Sequence, residues 1–420
     1  MTLKHHNTAA GALLASTLFA GAAFAQTELT MWYHGAGNAS EMVLVHEMLD
    51  EFNASQTDWK VVITTFPQGA YNDSIVAGAL AGTLPDIIDI DGPILPNWAW
   101  AGYLQPLAID ESLIKDYLPG PKGMWDGKLY GIGMWDAAVS LVTRQSYLDE
   151  LKLRKPTLDA PWSGEEFQAA LDAAKNSGKF EYALDLGMAW TGEWYPYAFL
   201  PFLQSFGGDM IDRTGYKTAE GALNGEAGMK FGNWWQGLFT GGYAQATQDG
   251  ADRDSGFASG KYAFSWNGNW AALGVLKAFD DVVFMPAPNF GAGSKIGAAS
   301  WQIAISSTSK HADGANAFIN FALQPSNLAR FSKGLGLIPA TAAAAALTDN
   351  YKAGGPLEVF YDLSKRQGVL RPVTPGYPVM AKIFEKALAD IAHGAAVEAT
   401  LDAAVDEINA DIKKNGGYGL

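Results

Sequence analysis

Apolar residues in the first part of the chain alternate between the spacing of buried strands and the spacing of an amphipathic helix. Residues 29–33 predict a strand, and residues 41–55 carry apolar side chains at the 3.6-residue spacing of a helix that faces a core. Residues 59–66 and 85–91 predict two further strands, the second apolar enough to be buried on both faces. Strand and helix in alternation predict an α/β fold.

The middle of the chain continues this pattern. Residues 124–144 predict a hairpin that leads into another strand. A helix begins after Ser163, because Glu166 lies three residues on as in a capping box and Trp162 can pack on Phe167. This helix is expected to end near Gly178.

The C-terminal third gives the same alternation with clear boundaries. Residues 262–266 and 300–307 predict strands, and residues 312–323 predict a helix. The tail, residues 379–412, predicts helices that are broken near Gly394. A stripe at helical spacing marks the last of them: Val397, Leu401, Val405, Ile408 and Ile412.

One aromatic stretch has two parts with different interpretations. Seven aromatic residues fall between Trp190 and Phe206. Pro196 can serve as the first residue of a helix, which would carry Phe199, Phe202 or Leu203, and Phe206 into a core. The preceding WTGEWY (190–195) would then be a loop whose aromatic rings face a ligand, and Gly192, which has no side chain, would let the ligand approach the backbone. Trp190, Trp194 and Tyr195 are the candidate rings, and the sequence does not choose among them.

The N-terminus predicts export. Residues 1–25 carry Lys4, a short apolar run and the small-residue ending Ala23-Phe24-Ala25, which is the pattern of a secretory signal peptide cleaved before Gln26. A membrane anchor is disfavoured, because the apolar run falls short of the roughly 20 residues that span a bilayer. We expect a periplasmic protein.

Composition narrows the class of function. A chain of 420 residues is too long for one ordinary core, so two lobes are expected. The absence of Cys excludes thiol catalysis and Cys-based metal sites, and a net charge of −15 disfavours nucleic acid and anionic membranes as partners. No phosphate-loop, zinc-protease or dinucleotide motif occurs, so no cofactor and no metal site are predicted. Fourteen Trp residues favour a carbohydrate ligand, because an indole plane matches the apolar face of a sugar ring.

Polar residues follow the predicted strands at the edge where α/β sheets bind ligands. His34 follows the first strand, Gln68 follows the second, and Asp89 and Asp91 end the third. Carboxylates accept hydroxyl hydrogens in strong charge-assisted bonds, and a His side chain can donate to or accept from a hydroxyl. All four residues are therefore candidate ligand contacts. Asp86, at the start of the third strand, is expected to brace it instead.

Several phrases in this order resemble the extracellular solute-binding proteins of ABC importers, in the sugar-binding group related to maltose-binding protein. They include AGALAGTLPDIIDIDG, WDGKLYGIGM, FLQSFGGDMID, FASGKYAFSWNGNWA and LRPVTPGYP. The resemblance implies a two-lobed, type II periplasmic-binding-protein fold with a ligand cleft between the lobes. Hinge crossings are expected near residues 132–136, 297–301 and 338–344. Lobe one would be 26–135 plus 300–340, and lobe two 136–299 plus 341–420.

The resemblance also implies site residues. It places an acidic residue at the first crossing, here Asp136, and a sugar-stacking Trp in SWNGNWA, here Trp270 with Asn267 beside it. Ser300 and Trp301 lie at the second crossing. Arg371 is a further candidate, because its guanidinium fork suits two adjacent hydroxyls or an acidic substituent. Tyr377 is a weaker one.

The predicted function is capture of a carbohydrate, a disaccharide or glycoside in preference to a monosaccharide, for delivery to membrane permease subunits by a monomeric, non-enzymatic protein. A secreted glycoside hydrolase is the first alternative, although no acid and nucleophile pair stands out. A binder of a polyamine or other small cationic solute is the second, since the chain is acidic.

Overall fold

The protein is described from a computed structural model, which covers Met1 and residues 26–250, 256–298 and 301–420. Apart from Met1, the predicted signal peptide lies outside the described residues, as does Ser300. Along the described part of the chain, no helix is both long and apolar enough to cross a membrane.

The first sheet is built around three parallel strands. Their order along the chain is β1 (Thr27–Ala36), α1 (Ala39–Ser55), β2 (Trp59–Pro67), α2 (Gln68–Ala81) and β3 (Ile87–Asp91). Strand β1 lies between β2 and β3. Residues 87–90 are all buried, as predicted for a strand covered on both faces. Asp86 accepts hydrogen bonds from Thr30 and Ser309, so it braces this strand as expected.

Antiparallel strands complete the first sheet. They are β4 (Leu104–Gln105), β5 (Lys122–Trp125), β6 (Lys128–Ile132) and β13 (Trp301–Ser306), with α3 (Leu95–Trp100) leading into β4. Strand β13 pairs with β3, β4 and β6. The β5–β6 turn is Asp126-Gly127, and both residues have positive φ, which confirms the predicted hairpin.

The second sheet has the order β11 (Val282–Met285), β8 (Val139–Arg144), β10 (Tyr262–Gly268), β9 (Tyr182–Asp185). The helices of this part are α4 (Gln145–Glu150), α5 (Gly164–Asn176), α6 (Trp194–Ser205), α7 (Glu226–Thr240) and α8 (Asn269–Ala278). The predicted capping box of α5 is present, and Trp162 packs on Phe167 with ring centroids 6.4 Å apart.

Two short sheets lie where the chain passes between these parts. Strand β7 (Trp135–Asp136) pairs with β14 (Ile338–Pro339), and β12 (Ile296–Gly297) pairs with β15 (Gly368–Val369). Three of these four strands fall within or beside the segments in which hinge crossings were predicted.

The remaining helices are α9 (Ala312–Ala322), α10 (Pro325–Leu335), α11 (Ala342–Ala345), α12 (Glu358–Gln367), α13 (Tyr377–Ala392) and α14 (Val397–Lys414). The break between α13 and α14 contains Gly394 in a left-handed conformation, and the predicted apolar stripe of α14 is buried.

Buried side chains form separate cores around the two sheets. One cluster is drawn mainly from residues 138–296 and 345–412, and another from residues 29–63 and 303–344. A smaller cluster covers the opposite face of the first sheet and includes Tyr377 of α13, whereas Phe384 of the same helix packs in the core of the second sheet. Helix α13 therefore contacts both parts of the molecule.

Helix α6 begins two residues earlier than expected. It starts at Trp194, so that Pro196 is its third residue, and both Trp194 and Tyr195 are buried instead of lying on a loop. The physical reason is packing, because the Trp194 indole donates to the Leu186 carbonyl at 3.0 Å and the Tyr195 ring meets Phe199 edge-on. The predicted core positions Phe199 and Phe202 are buried, and Phe206 is half-buried.

Candidate functional site

A histidine with two carboxylate neighbours lies at the ends of β1 and β3. We call His34, Glu41, Asp89 and Trp301 the histidine cluster. The His34 ring is bonded to Asp89 through Nδ1, and its Nε2 lies 3.6 Å from a Glu41 oxygen. Burial disfavours the imidazolium, but the neighbouring carboxylates of Asp89 and Glu41 outweigh burial, so the pKa of His34 is raised.

Trp301 covers this histidine. Its indole stacks on the His34 ring with centroids 3.6 Å apart and planes 6° from parallel, and Tyr71 meets it edge-on at 5.8 Å. The ring is half-buried and packs against the clusters on both faces of the first sheet. Strand β13 thus places an aromatic plane directly beside the polar strand ends.

A second set of side chains surrounds a buried arginine. We call Asp91, Glu193, Arg371 and Tyr377 the charged group. Arg371 Nη1 donates to Glu193 at 2.7 Å, and its Nη2 lies 3.9 Å from Asp91. The Tyr377 hydroxyl donates to Glu193 at 2.5 Å. Residues from β3, from the start of α6 and from the segment between β15 and α13 meet here.

The charged group is largely withdrawn from solvent. Arg371 is 6% exposed. Burial raises the pKa of Asp91 and of Glu193, although the Arg371 charge lowers both. Burial lowers the pKa of Arg371, but the neighbouring Tyr377, Asp91 and Glu193 raise this pKa by more than burial lowers it. The guanidinium therefore stays charged.

An aromatic wall adjoins the charged group. It consists of Trp190, Trp194, Tyr197 and Trp270. The Trp270 ring lies 5.9 Å from Trp190, 6.1 Å from Trp194 and 6.0 Å from Tyr197. Tyr197 also lies under the Arg371 guanidinium at 5.1 Å, which joins the wall to the charged group.

Trp270 holds the central place in this wall. It is half-buried, and it packs against the cores of both sheets. The indole lies over Gly268, where an added Cβ would come within 2.1 Å of the ring, so glycine is required for this position of the indole. Trp270 therefore marks the junction between the two parts of the molecule.

A pocket opens beside the wall, with a volume of about 310 Å³. Trp190 and Trp270 line one side, and Asp185, Ser265 and Asn267 supply polar groups on the second sheet. Aromatic planes with a few convergent polar groups are the usual composition of a small-molecule site.

The structure brings five predicted site residues together: His34, Asp89, Asp91, Trp301 and Arg371. Trp270 and Asn267 lie on the neighbouring wall and pocket. Asp136 is fully buried and accepts a hydrogen bond from Ser364 of α12 at 2.5 Å, beside the paired strands β7 and β14.

Two predicted residues lie apart from these groups, and a third is a buried member of the aromatic wall. Gln68 is exposed at the first turn of α2. Tyr195 faces away, near Glu385, and burial raises its pKa to about 12. Trp194 is buried, and its ring meets those of Trp190 and Trp270 edge-on. Of the three rings left open by the sequence, Trp190 is the half-buried one that lines the pocket.

Sequence reasoning missed Glu193, Glu41 and Tyr197 as members of these clusters. Glu193 had a usable signal, since a carboxylate within WTGEWY has no place in an apolar core. Tyr197 gave no signal, because it reads as one more apolar helix residue. Glu41 lies in a helix, and only the packing of α1 on β1 brings it to His34.

A family model matches most of the chain. The family model described as bacterial extracellular solute-binding protein matches residues 47–358. An uncharacterised lipoprotein from the oleD 5′ region of Streptomyces antibioticus is 26% identical over an alignment of 307 residues that covers 70% of this chain. The match covers 66% of that lipoprotein, a little under two thirds of its length.

Solved structures resemble the chain over nearly its whole length. The GacH receptor of Streptomyces glaucescens, studied unliganded and with acarbose, gives a TM-score of 0.75 at 21% identity over 93% of this chain and 98% of its own. The cyclic α-maltosyl-1,6-maltose binding protein of Arthrobacter globiformis gives 0.76 at 23% identity over 93% and 100%. The sugar-binding protein MalE of Xanthomonas citri gives 0.76 at 19% identity over 93% and 98%. At these identities the likeness establishes the fold, which is the two-lobed α/β architecture expected from the sequence.

Proposed function

This chain belongs to the bacterial extracellular solute-binding protein family, and on that premise we propose that it is the carbohydrate-binding component of an ABC importer. Its family and fold are those of binding proteins and not of enzymes, and the family places it outside the cytoplasm. We propose the periplasm as its location, after removal of residues 1–25, and a disaccharide or glycoside as its ligand.

The observation that carries this proposal is the arrangement at the junction of the two cores. Half-buried Trp190 and Trp270 stand next to a charged group that contains Asp91 and Arg371. An indole plane packs on the C–H face of a pyranose, and carboxylate and guanidinium groups bond to the hydroxyls at its rim. The junction therefore offers both kinds of contact that a sugar needs.

The proposed mechanism is capture by closure. Lobe one, residues 26–135 plus 300–340, and lobe two, residues 136–299 plus 341–420, would close on the sugar by bending at the crossings. A ligand that contacts both lobes binds the closed form better and shifts the population towards it. The closed form would then dock, as a monomer, on the permease subunits.

Calorimetry against a defined panel tests the proposal. The panel contains maltose, trehalose, cellobiose, lactose, methyl α-glucoside, galacturonic acid and spermidine. We expect saturable binding of at least one neutral glycoside with no turnover. Binding of spermidine alone would support a cationic-solute binder instead.

A glycoside hydrolase is the second candidate, and one observation favours it. Asp91 and Glu193 both have raised pKa values, as a general acid requires. Their shared partner Arg371 argues for the carboxylates of a binding site instead. Chromatography of the panel sugars after prolonged incubation decides the matter, because release of monosaccharide would show hydrolysis.

A further inference from the structure

Glu193 holds Arg371 from one side only. A single oxygen of its carboxylate, Oε2, accepts from both Arg371 Nη1 at 2.7 Å and the Tyr377 hydroxyl at 2.5 Å. Two donors on one oxygen fix the carboxylate, and the carboxylate in turn fixes the guanidinium, because charge-assisted bonds of this kind are short and directional.

The other side of the guanidinium is not saturated. Nη2 stands 3.9 Å from Asp91, which is longer than a hydrogen bond. Arg371 Nε is buried and has no hydrogen-bond partner among the described residues. The same holds for the hydroxyl of Tyr197, whose ring lies under the guanidinium. Buried polar atoms are nearly always bonded, so two such atoms around one arginine point to a ligand.

We infer that Glu193 is a positioning residue which, with Tyr377, orients Arg371 so that Arg371 and Asp91 together bind two adjacent hydroxyl groups of a sugar ring. The inference rests on the proposed function and names the part of the ligand that the charged group recognises. One hydroxyl oxygen fits between Nη2 and Asp91, accepting from the former and donating to the latter, since atoms 3.9 Å apart each lie within hydrogen-bond reach of it. Its neighbour accepts from the same guanidinium edge, which presents parallel donors.

Glu193 is needed for this recognition because it keeps Arg371 from pairing directly with Asp91. Without the bond from Glu193, the nearest carboxylate to the guanidinium is Asp91. The two would close their gap into a direct ion pair, and the Asp91 oxygen would no longer be available to a hydroxyl. Glu193 thus keeps the two recognition groups apart.

The test uses the mature protein and the neutral panel sugars, maltose, trehalose, cellobiose, lactose and methyl α-glucoside, by calorimetry. For the tightest binder, single-deoxy counterparts are measured at each ring position. We expect removal of either of two adjacent hydroxyls to weaken binding by about tenfold, the size of one lost hydrogen bond to a charged group.

Glu193→Gln distinguishes positioning from stability. We expect about tenfold weaker binding of the parent sugar and, in addition, a smaller difference between that sugar and its two sensitive deoxy forms, because Arg371 no longer presents its donors. If Glu193 merely supported the fold, its substitution would weaken the binding of all of these sugars equally. The matched control is Glu385→Gln. Glu385 accepts a hydrogen bond from the Gly192 N–H, in the same loop as Glu193, and does not contact Arg371. This variant should leave the discrimination between the parent sugar and its deoxy forms unchanged.

The outcomes separate the two proposals. If the wild-type protein binds no panel sugar, the proposed function fails and this inference with it. If wild type binds and discriminates while Glu193→Gln keeps both affinity and discrimination, the inference is overturned and the function stands. Should Glu193→Gln fail to fold, Tyr377→Phe removes one of the two donors to Glu193; a reduced discrimination supports the inference and an unchanged one overturns it.

Discussion

The charged group and the aromatic wall are neighbours at the same junction, yet different forces hold them in place. Arg371 is ion-paired with Glu193 and lies 3.9 Å from Asp91, so charges from segments distant in sequence hold this group. The wall is held by ring packing, with Trp194 and Tyr197 buried behind the half-buried Trp190 and Trp270. Under the proposed function, the charged group would orient a ligand and the wall would supply apolar contact area, so mutations should affect the two in different ways.

The largest effect is expected at the centre of the charged group. Arg371→Ala leaves Asp91 and Glu193 with uncompensated buried charge, so it should lower the free energy of unfolding by about 3 kcal/mol as well as abolish sugar binding. Urea unfolding and calorimetry measure the two effects. Arg366→Ala, which removes an exposed ion pair to Asp159, is the control and should cost less than about 1 kcal/mol. An equally small cost for Arg371→Ala would contradict this account of the charged group.

Removal of a ring from the aromatic wall should weaken sugar binding without unfolding the protein. Trp270→Ala removes a half-buried ring and is expected to weaken sugar binding by about tenfold or more with little change in stability. Trp266→Ala, four residues earlier, removes a fully buried ring bonded to the Ala198 carbonyl and should instead cost about 3–5 kcal/mol of stability. Unchanged affinity in Trp270→Ala would remove this residue from the site.

A finer comparison is possible inside the wall. Trp190→Ala should weaken sugar binding several-fold at nearly unchanged stability, because this ring lines the pocket. Trp194→Ala should lower the melting temperature more than the affinity, because its indole is bonded to the Leu186 carbonyl and supports its neighbours from behind. Thermal shift with and without maltose measures both, and the reverse ranking would mean that Trp194 is the ligand-facing ring.

The smallest effect concerns pH and the histidine cluster. His34 faces Asp89, Glu41 and Asp91, with the hydroxyls of Tyr33 and Tyr71 nearby. Its pKa is raised in the folded state, so its contribution to stability is complete below about pH 6.5 and is lost as the pH rises through the folded value.

The melting temperatures of wild type and His34→Gln should accordingly differ more at pH 5 than at pH 9. His46→Gln, at an exposed position of α1, serves as the control and should show no such trend. A difference that grows with rising pH would mean that His34 is neutral in the folded protein.

Much of the architecture could be predicted because it depends on local pattern. Alternating strands and helices, the capping box at Ser163 and Glu166, the Asp126-Gly127 hairpin and the break at Gly394 follow from residues that are close in sequence. The strand-end residues His34, Asp89 and Asp91 could be anticipated for a related reason, since parallel strands end at one edge of a sheet.

Contacts between residues that are distant in sequence could not be predicted from local pattern. Glu193, Arg371 and Tyr377 are separated by up to 184 residues and meet only because α6 and α13 pack against each other. The sequence by itself determined which segments form strands, helices and turns, because those preferences reside in backbone conformation and hydrophobic spacing. Only the tertiary structure decided that Trp190 lines the pocket while Trp194 and Tyr195 are buried, since burial is a property of what surrounds a ring and not of the ring itself.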